Sequence, residues 1–545
     1  MLTGNRKAAI ERIPTEIWTE CADQLSFNDQ KNLLLTCQFF RDVCLRFVFK
    51  HKSFYLHVCK DMGSGNCCGP FASRVENVAL VADSNALAPH VRKLTLRYDQ
   101  SRPRTFSHQL KQLYPLFIKS CLELIPRFPN LRSVYISSNK PVDKALMHAL
   151  ALCPQLDELG MGPVRFGAHS LSRGVRLCVR KLGIYNNCIG SDTNPRKAAK
   201  VLDMFSGERL ERLEVLSHIY APKIAHALAR QSNCTRLTFL RVRISPEDFK
   251  TFIPFLVSCA NIEALSVTLH ESLTCRDSAF PPHSFPNSLP QLPTSALRKL
   301  NSITGSGEII ALIVPGRRVQ SVTTLISNPM PRFMKLDQGE FEALVLPRLV
   351  ESKGPVKSLV LEGNVFGKNM LNPISLRMPS LTSLCVWLGD DSGVDTDPFK
   401  EATGTLAIVR EYLAHCKNTP GNEAKVLTPF VRHKKYLIIL HLIALGKIRL
   451  PRDLEQLDLV DRAFSVSWEQ RLFQWDHCHL MKSEETHGTA YSLNMVSAIF
   501  FAISRIYPSF RLLNLSDHAP GHVYFYWYKT RSDKWDLCDF KCDGY

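Results

Sequence analysis

One six-residue pattern recurs along this chain and limits what it can fold into: apolar, two free positions, apolar, one free position, apolar. "VRKLTL" (91–96), "LRSVYI" (131–136), "LDELGM" (156–161) and "VRKLGI" (179–184) carry it. So do "LERLEV" (210–215), "LTFLRV" (237–242), "IEALSV" (262–267), "VKSLVL" (356–361), "LTSLCV" (381–386) and "LEQLDL" (454–459). Starts at 131, 156 and 179 are 25 and 23 residues apart, and starts at 210, 237 and 262 are 27 and 25 apart. Alternating apolar residues at the end of each hexamer belong to a strand with one buried face. The segments between them, such as "KALMHALALCPQ" and "KIAHALARQSN", have helical spacing. Strand and helix alternate, so the expected class is α/β.

A period of 20–29 residues with this consensus is that of the leucine-rich repeat, whose units bury their apolar faces only against one another. Three copies continue to Asn139, Asn187 and Asn364, eight residues past the first apolar position. A buried amide there can bond the backbone of adjacent turns. An irregular solenoid is therefore expected over residues 53–466, with the free strand positions on its concave side. "FPPHSFPNSLPQLP" (280–293) holds five prolines and reads as a loop. Four of the six tryptophans, Trp468, Trp475, Trp527 and Trp535, lie beyond residue 467, and "HVYFYWYK" (522–529) reads as a strand. Residues 467–545 are expected to form an aromatic-rich cap, since a solenoid must close its ends.

The first 52 residues differ. Pro14 suits a first helical turn, and Ile17, Cys21 and Leu25 follow at spacing four on one helix face. "SFND" ends that helix and begins another, with Ser26 as N-cap. The second helix carries two apolar stripes, Leu33–Cys37–Phe40–Cys44 and Leu35–Phe39–Val43–Phe47. A surface helix normally has one. Either both stripes are buried in a larger N-terminal domain, or one waits for another protein.

Ile13-Pro14, Glu16-Ile17, Cys21, Leu25, Asp29, Leu33, Cys37, Phe40 and Arg41 fall in the order and spacing of an F-box. The stretch resembles that motif, and "NLLLTCQFFRDVC" (32–44) is especially similar to fungal F-box proteins. Cys21, Gln30 and Thr36 depart from the residues common at their positions. The resemblance implies a short all-α domain over residues 1–52 that docks a Skp-family adaptor, and through it a cullin, in a ubiquitin ligase. It assigns Pro14, Ile17, Leu25, Leu33 and Phe40 to that interface. The remainder of the chain would hold a target protein.

Composition narrows the function classes. Lys plus Arg exceeds Asp plus Glu by 18, and only +1 of this lies in residues 1–50. The basic residues are scattered, as in "RPR" (102–104), "GRR" (316–318) and "RHKK" (432–435), and read as a solvated surface. The excess suits an acidic or phosphorylated target more than nucleic acid. No apolar run reaches the ~18–20 residues of a membrane span. The 18 cysteines are spread thinly and read as reduced thiols, which places the chain in cytoplasm or nucleus. "HCH" (477–479) with Cys538 and Cys542 is too loose for zinc. No phosphate-binding loop, dinucleotide fingerprint, HExxH or nucleophile elbow is present, so neither catalysis nor a cofactor is expected. The competing function is an interaction scaffold outside the ubiquitin pathway that binds nucleic acid or another polyanion.

Overall fold

The structure is a computed structural model. It describes residues 13–57, 79–99, 119–120, 122–138, 141–142, 144–162, 165–166, 176–185, 204–231, 234–245, 248–269, 292–324, 339, 341–366, 370–388, 434–461, 493–517, 523–530 and 535–541. Asn139, Asn187, Trp468, Trp475, residues 280–291, residues 477–479 and Cys542 lie outside these, as do the side chains of Asn364 and Cys538. The chain divides into two compact units, Met1–Ile262 and Glu263–Tyr545.

The first unit opens with α1 (Thr15–Gln24), α2 (Phe27–Leu34) and α3 (Gln38–Val48). The Pro14 carbonyl accepts the Ile17 amide at 3.0 Å and starts α1. Ser26 caps α2 as its spacing suggests: its hydroxyl accepts the Asp29 amide at 3.2 Å. Asp29 also lies where the helix end favours negative charge.

The expected single second helix is two helices. Leu35 and Thr36 close a turn onto Asn32 and Leu33, the Thr36 hydroxyl donates to the Leu33 carbonyl at 2.7 Å, and Cys37 is extended. The two stripes therefore never coexist on one cylinder. Ala22, Val43 and Cys44 form the small core, with Trp18, Leu33, Leu34, Phe39 and Phe47 packed against it. Gln30 is 8% exposed and donates to the Ala22 carbonyl at 2.9 Å and the Leu25 carbonyl at 3.2 Å. It supplies a side-chain donor at the end of α1, where the Ala22 carbonyl also takes the Leu25 amide.

Parallel strands follow: β1 (His51–His57), β2 (Lys93–Asp99), β3 (Ser133–Ser138), β5 (Glu158–Met161), β7 (Lys181–Ile184), β8 (Arg212–Val215) and β9 (Phe239–Ile244), hydrogen-bonded in that order. A separate two-stranded sheet pairs β4 (Pro141–Val142) with β6 (Arg165–Phe166). The segments read as helical are α4 (Lys144–Ala151) and α5 (Ala221–Gln231), and α6 spans Phe249–Ser258.

In the second unit, β10 (Ala264–Leu269), β11 (Ser302–Gly305), β12 (Ser321–Thr324), β13 (Ser358–Phe366), β14 (Ser383–Leu388), β15 (Gln456–Asp461) and β16 (Leu512–Asp517) are parallel. Helices α7 (Gly307–Ile313), α8 (Leu346–Val350), α9 (Leu371–Arg377), α10 (Lys434–Ala444) and α11 (Leu493–Ile506) punctuate them. Two antiparallel strands, β17 (Val523–Lys529) and β18 (Trp535–Lys541), complete this sheet. There Trp527 is 2% exposed, and the Trp535 ring stacks on Phe500 at 5.1 Å and donates to Ser504 Oγ at 2.8 Å.

The architecture is thus mixed α/β and solenoid-like, and the hexamers explain it. Every apolar position in all ten is buried, from Val91, Leu94 and Leu96 to Leu454, Leu457 and Leu459. Each fully buried aliphatic side chain contributes roughly 1.5–3 kcal/mol before chain entropy is charged against it. At most of the strand entrances within each unit one carbonyl accepts two amides of the next repeat. The Lys50 carbonyl takes the Arg92 and Lys93 amides, at 3.0 and 2.8 Å, and the Arg92 carbonyl takes those of Arg132 and Ser133. That ladder contains three further repeats, at Leu300–Ile303, Val319–Val322 and Phe510–Leu513–Leu515, all buried.

Within "GRR" (316–318), Arg318 is exposed as expected, but Arg317 corrects the reading of these basic residues as solvated surface. Arg317 is 3% exposed, and all five guanidinium N–H groups donate to carbonyls. Nε reaches Ala296 at 3.0 Å. Nη1 reaches Ile313 and Pro315 at 2.5 and 3.1 Å, and Nη2 reaches Leu292 and Pro293 at 3.2 and 2.7 Å.

Candidate functional site

Two features of the first unit stand out. The first lies on α1. Its stripe at spacing four runs Ile17, Cys21 and Leu25, the last at the C-cap, and it faces solvent: Ile17 is 47% exposed and Leu25 39%, with Cys21 exposed too, and Ile13, just before the helix, is 39% exposed. Trp18 and Ala22, each one position on and so about 100° round the helix, make the core contacts. Phe27 (53% exposed), with the Lys31 amine 4.3 Å from its ring centroid, and Leu35 (75%) are further exposed apolar side chains of the module. An amphipathic helix normally turns such a stripe inward. Contiguous exposed apolar surface marks an interaction site.

The five residues assigned to a partner interface fall into two groups. Pro14, Ile17 and Leu25 are exposed. Leu33 is partly buried against the core, and Phe40 is partly buried among aromatics, 5.2 Å from Trp18 and 5.3 Å from Phe39.

The second feature is the strand-entry edge. Parallel register aligns the second hexamer position of successive repeats as Lys50, Arg92, Arg132, Asp157, Arg180 and Glu211, and the third as His51, Lys93, Ser133, Glu158, Lys181 and Arg212. From Lys50 to Arg180 in the one row and from Lys93 to Lys181 in the other, these residues line a groove of about 300 Å³. Its carboxylates, Asp157 and Glu158, and the neighbouring Glu211 are occupied. Arg180 grips Glu211 through Nε at 3.0 Å and Nη2 at 2.8 Å, Arg209 meets Asp157 at 2.9 Å, and Lys181 pairs with Glu158. The Lys181 bond holds the Glu158 carboxyl below its usual range, and the Arg180 bond does the same for Glu211. Such solvent-exposed pairs are screened by water and salt and add little to stability. The β1–β3 end is cationic instead. Burial and then Lys93 depress His51, while burial, Arg92 and Arg46 depress His90.

Beside this groove, glycines make room for two tyrosines. A Cβ on Gly160 would stand 2.7 Å from Tyr135 Cδ2, and one on Gly183 would stand 2.6 Å from Tyr185 Cε2. Tyr135, Gly160, Gly183 and Glu214 are in register across β3, β5, β7 and β8. Gly160→Ala is expected to cost about 1–3 kcal/mol by displacing Tyr135. Equilibrium denaturation of a Gly160→Ala, Tyr135→Ala cycle should return most of that cost, and strictly additive effects would refute the contact.

Among the described residues there is no group of three or more His, Cys, Asp and Glu side chains able to hold a metal ion. Nor is there, among them, a helix long and apolar enough to cross a membrane.

No family model matches the sequence, and no curated protein matches it. A solved structure, of the Rad7 and Elc1 complex in yeast, aligns with 69% of this chain and 80% of that chain at 13% identity and a TM-score of 0.29. An overlap of that size carries nothing over to this chain.

Proposed function

We propose that the chain is a non-catalytic substrate-receptor subunit of a ubiquitin ligase, acting in cytoplasm or nucleus. Residues 13–48 act as an F-box that docks a Skp-family adaptor, and the adaptor connects it to a cullin. The strand–helix repeats hold the target, and their contribution to ubiquitin transfer is proximity. The observation that carries this reading is the solvent-facing stripe Ile17–Cys21–Leu25, a helix face left exposed in a three-helix module that packs its core on Ala22, Val43 and Cys44. The motif resemblance over the same residues supplies the partner's identity. Affinity purification of the intact chain is expected to recover a Skp-family protein and a cullin, and a chain lacking residues 1–50 is expected to lose both together. Equal recovery with and without that segment would end the proposal.

A further inference from the structure

The entry row of the first unit is electrostatically lopsided. Lys50, Arg92 and Arg132 occupy successive rungs of one hydrogen-bonded ladder, and Lys93 stands beside Arg92. All four are exposed. Three rungs of parallel sheet place their backbones within roughly 10 Å, at about 4.8 Å per rung. Among the described residues none of these four has an ion-pair partner, although the groove they share contains Asp157 and Glu158. Those carboxylates are committed to Arg209 and Lys181. The groove is therefore neutral at its β5–β7 end and cationic at its β1–β3 end. Like charges stacked this closely repel one another, and a ligand carrying several negative groups over a short reach relieves that repulsion.

We propose that the row Lys50–Arg92–Arg132, with Lys93, docks a short carboxylate-rich peptide segment. The footprint selects the class. Three cationic rungs match a few acidic side chains of an extended peptide. A nucleic acid would carry its phosphates onward past Asp157, Glu158, Glu211 and Glu214, where each Lys or Arg is already paired. Arginine suits carboxylate geometry because its planar fork can donate two parallel bonds. The inference rests on the receptor reading only for calling this peptide part of a target, and its test needs no adaptor.

Fluorescence anisotropy of a labelled oligoglutamate peptide against the full-length chain tests it. Arg92→Glu with Arg132→Glu is expected to weaken binding by about tenfold or more, and the intact chain's affinity should fall as salt is raised. Arg449→Glu with Arg452→Glu changes net charge equally at exposed sites of the second unit and is expected to change binding less than about twofold. Equal losses in the two double variants would reduce the effect to net charge and overturn the proposal. Tighter, row-dependent binding of single-stranded oligothymidylate would overturn it in favour of nucleic acid. Adaptor docking should be unchanged in the row variant, so failure here and failure of the receptor reading are separate results.

Discussion

Replacing Arg317 with methionine is expected to destabilise the second unit by about 3–5 kcal/mol, the largest single-residue effect anticipated outside the aliphatic core. The side chain is buried, no acid among the described residues pairs with it, and its charge is spread over the carbonyls of Leu292, Pro293, Ala296, Ile313 and Pro315. It thereby ties the chain entering β11 to the end of α7, where Gly316 takes the left-handed φ of 73°. Methionine fills similar volume and leaves these acceptors without their donors. Lysine keeps the charge but cannot reproduce the planar fork, so Arg317→Lys should also lose stability, by a smaller margin. Urea denaturation of the full-length chain, followed by circular dichroism, would show an early transition in both variants. A methionine variant that unfolds at the wild-type midpoint would refute the keystone role.

The second large effect concerns binding rather than stability. Ile17→Asp with Leu25→Asp is expected to weaken adaptor binding by at least about 100-fold, the loss of two anchors worth some 1.5 kcal/mol or more each. Both residues face solvent, so thermal unfolding of the variant should match that of the parent. Ala22→Asp, by contrast, would place a charge in the closed core and unfold the helical module. The pair of results separates a docking face from a core face on the same helix.

Much of this arrangement is legible in the hexamers. Their spacing gives the strands, their alternation gives the buried face, and the amphipathic stretches between them give α4 and α5. Three repeats escape for physical reasons. Gly305 and Thr324 stand where a third apolar residue is expected. Gly305 is needed because a Cβ there would lie 2.9 Å from the Val267 carbonyl, and Thr324 is tolerated because its buried hydroxyl donates to the Val360 carbonyl at 3.3 Å. The Phe510–Leu515 repeat fits the pattern but lies past the change in composition near residue 467, within a stretch read as cap.

The helical module is read correctly at Ser26 and misread at Leu35–Cys37. No Gly or Pro marks that break, so a continuous apolar run looks like one helix with two stripes. The stripe Ile17–Cys21–Leu25 is visible as a pattern, but periodicity alone does not say which face is buried. Trp18 and Ala22 take the core because α3 packs there. Charge is the least legible property. Arg317 looks like one of many scattered basic residues until the carbonyls around it are seen. The cationic row emerges only when Lys50, Arg92 and Arg132, 40 or more residues apart in sequence, are brought onto adjacent rungs by the register.

Titration of a purified Skp-family adaptor into the purified full-length chain, followed by calorimetry, tests the receptor reading most directly. The expected result is saturable one-to-one binding by the intact chain and none detectable with Ile17→Asp, Leu25→Asp, while the two proteins unfold alike. Absence of binding by the intact chain, or binding that survives both aspartates, would contradict it.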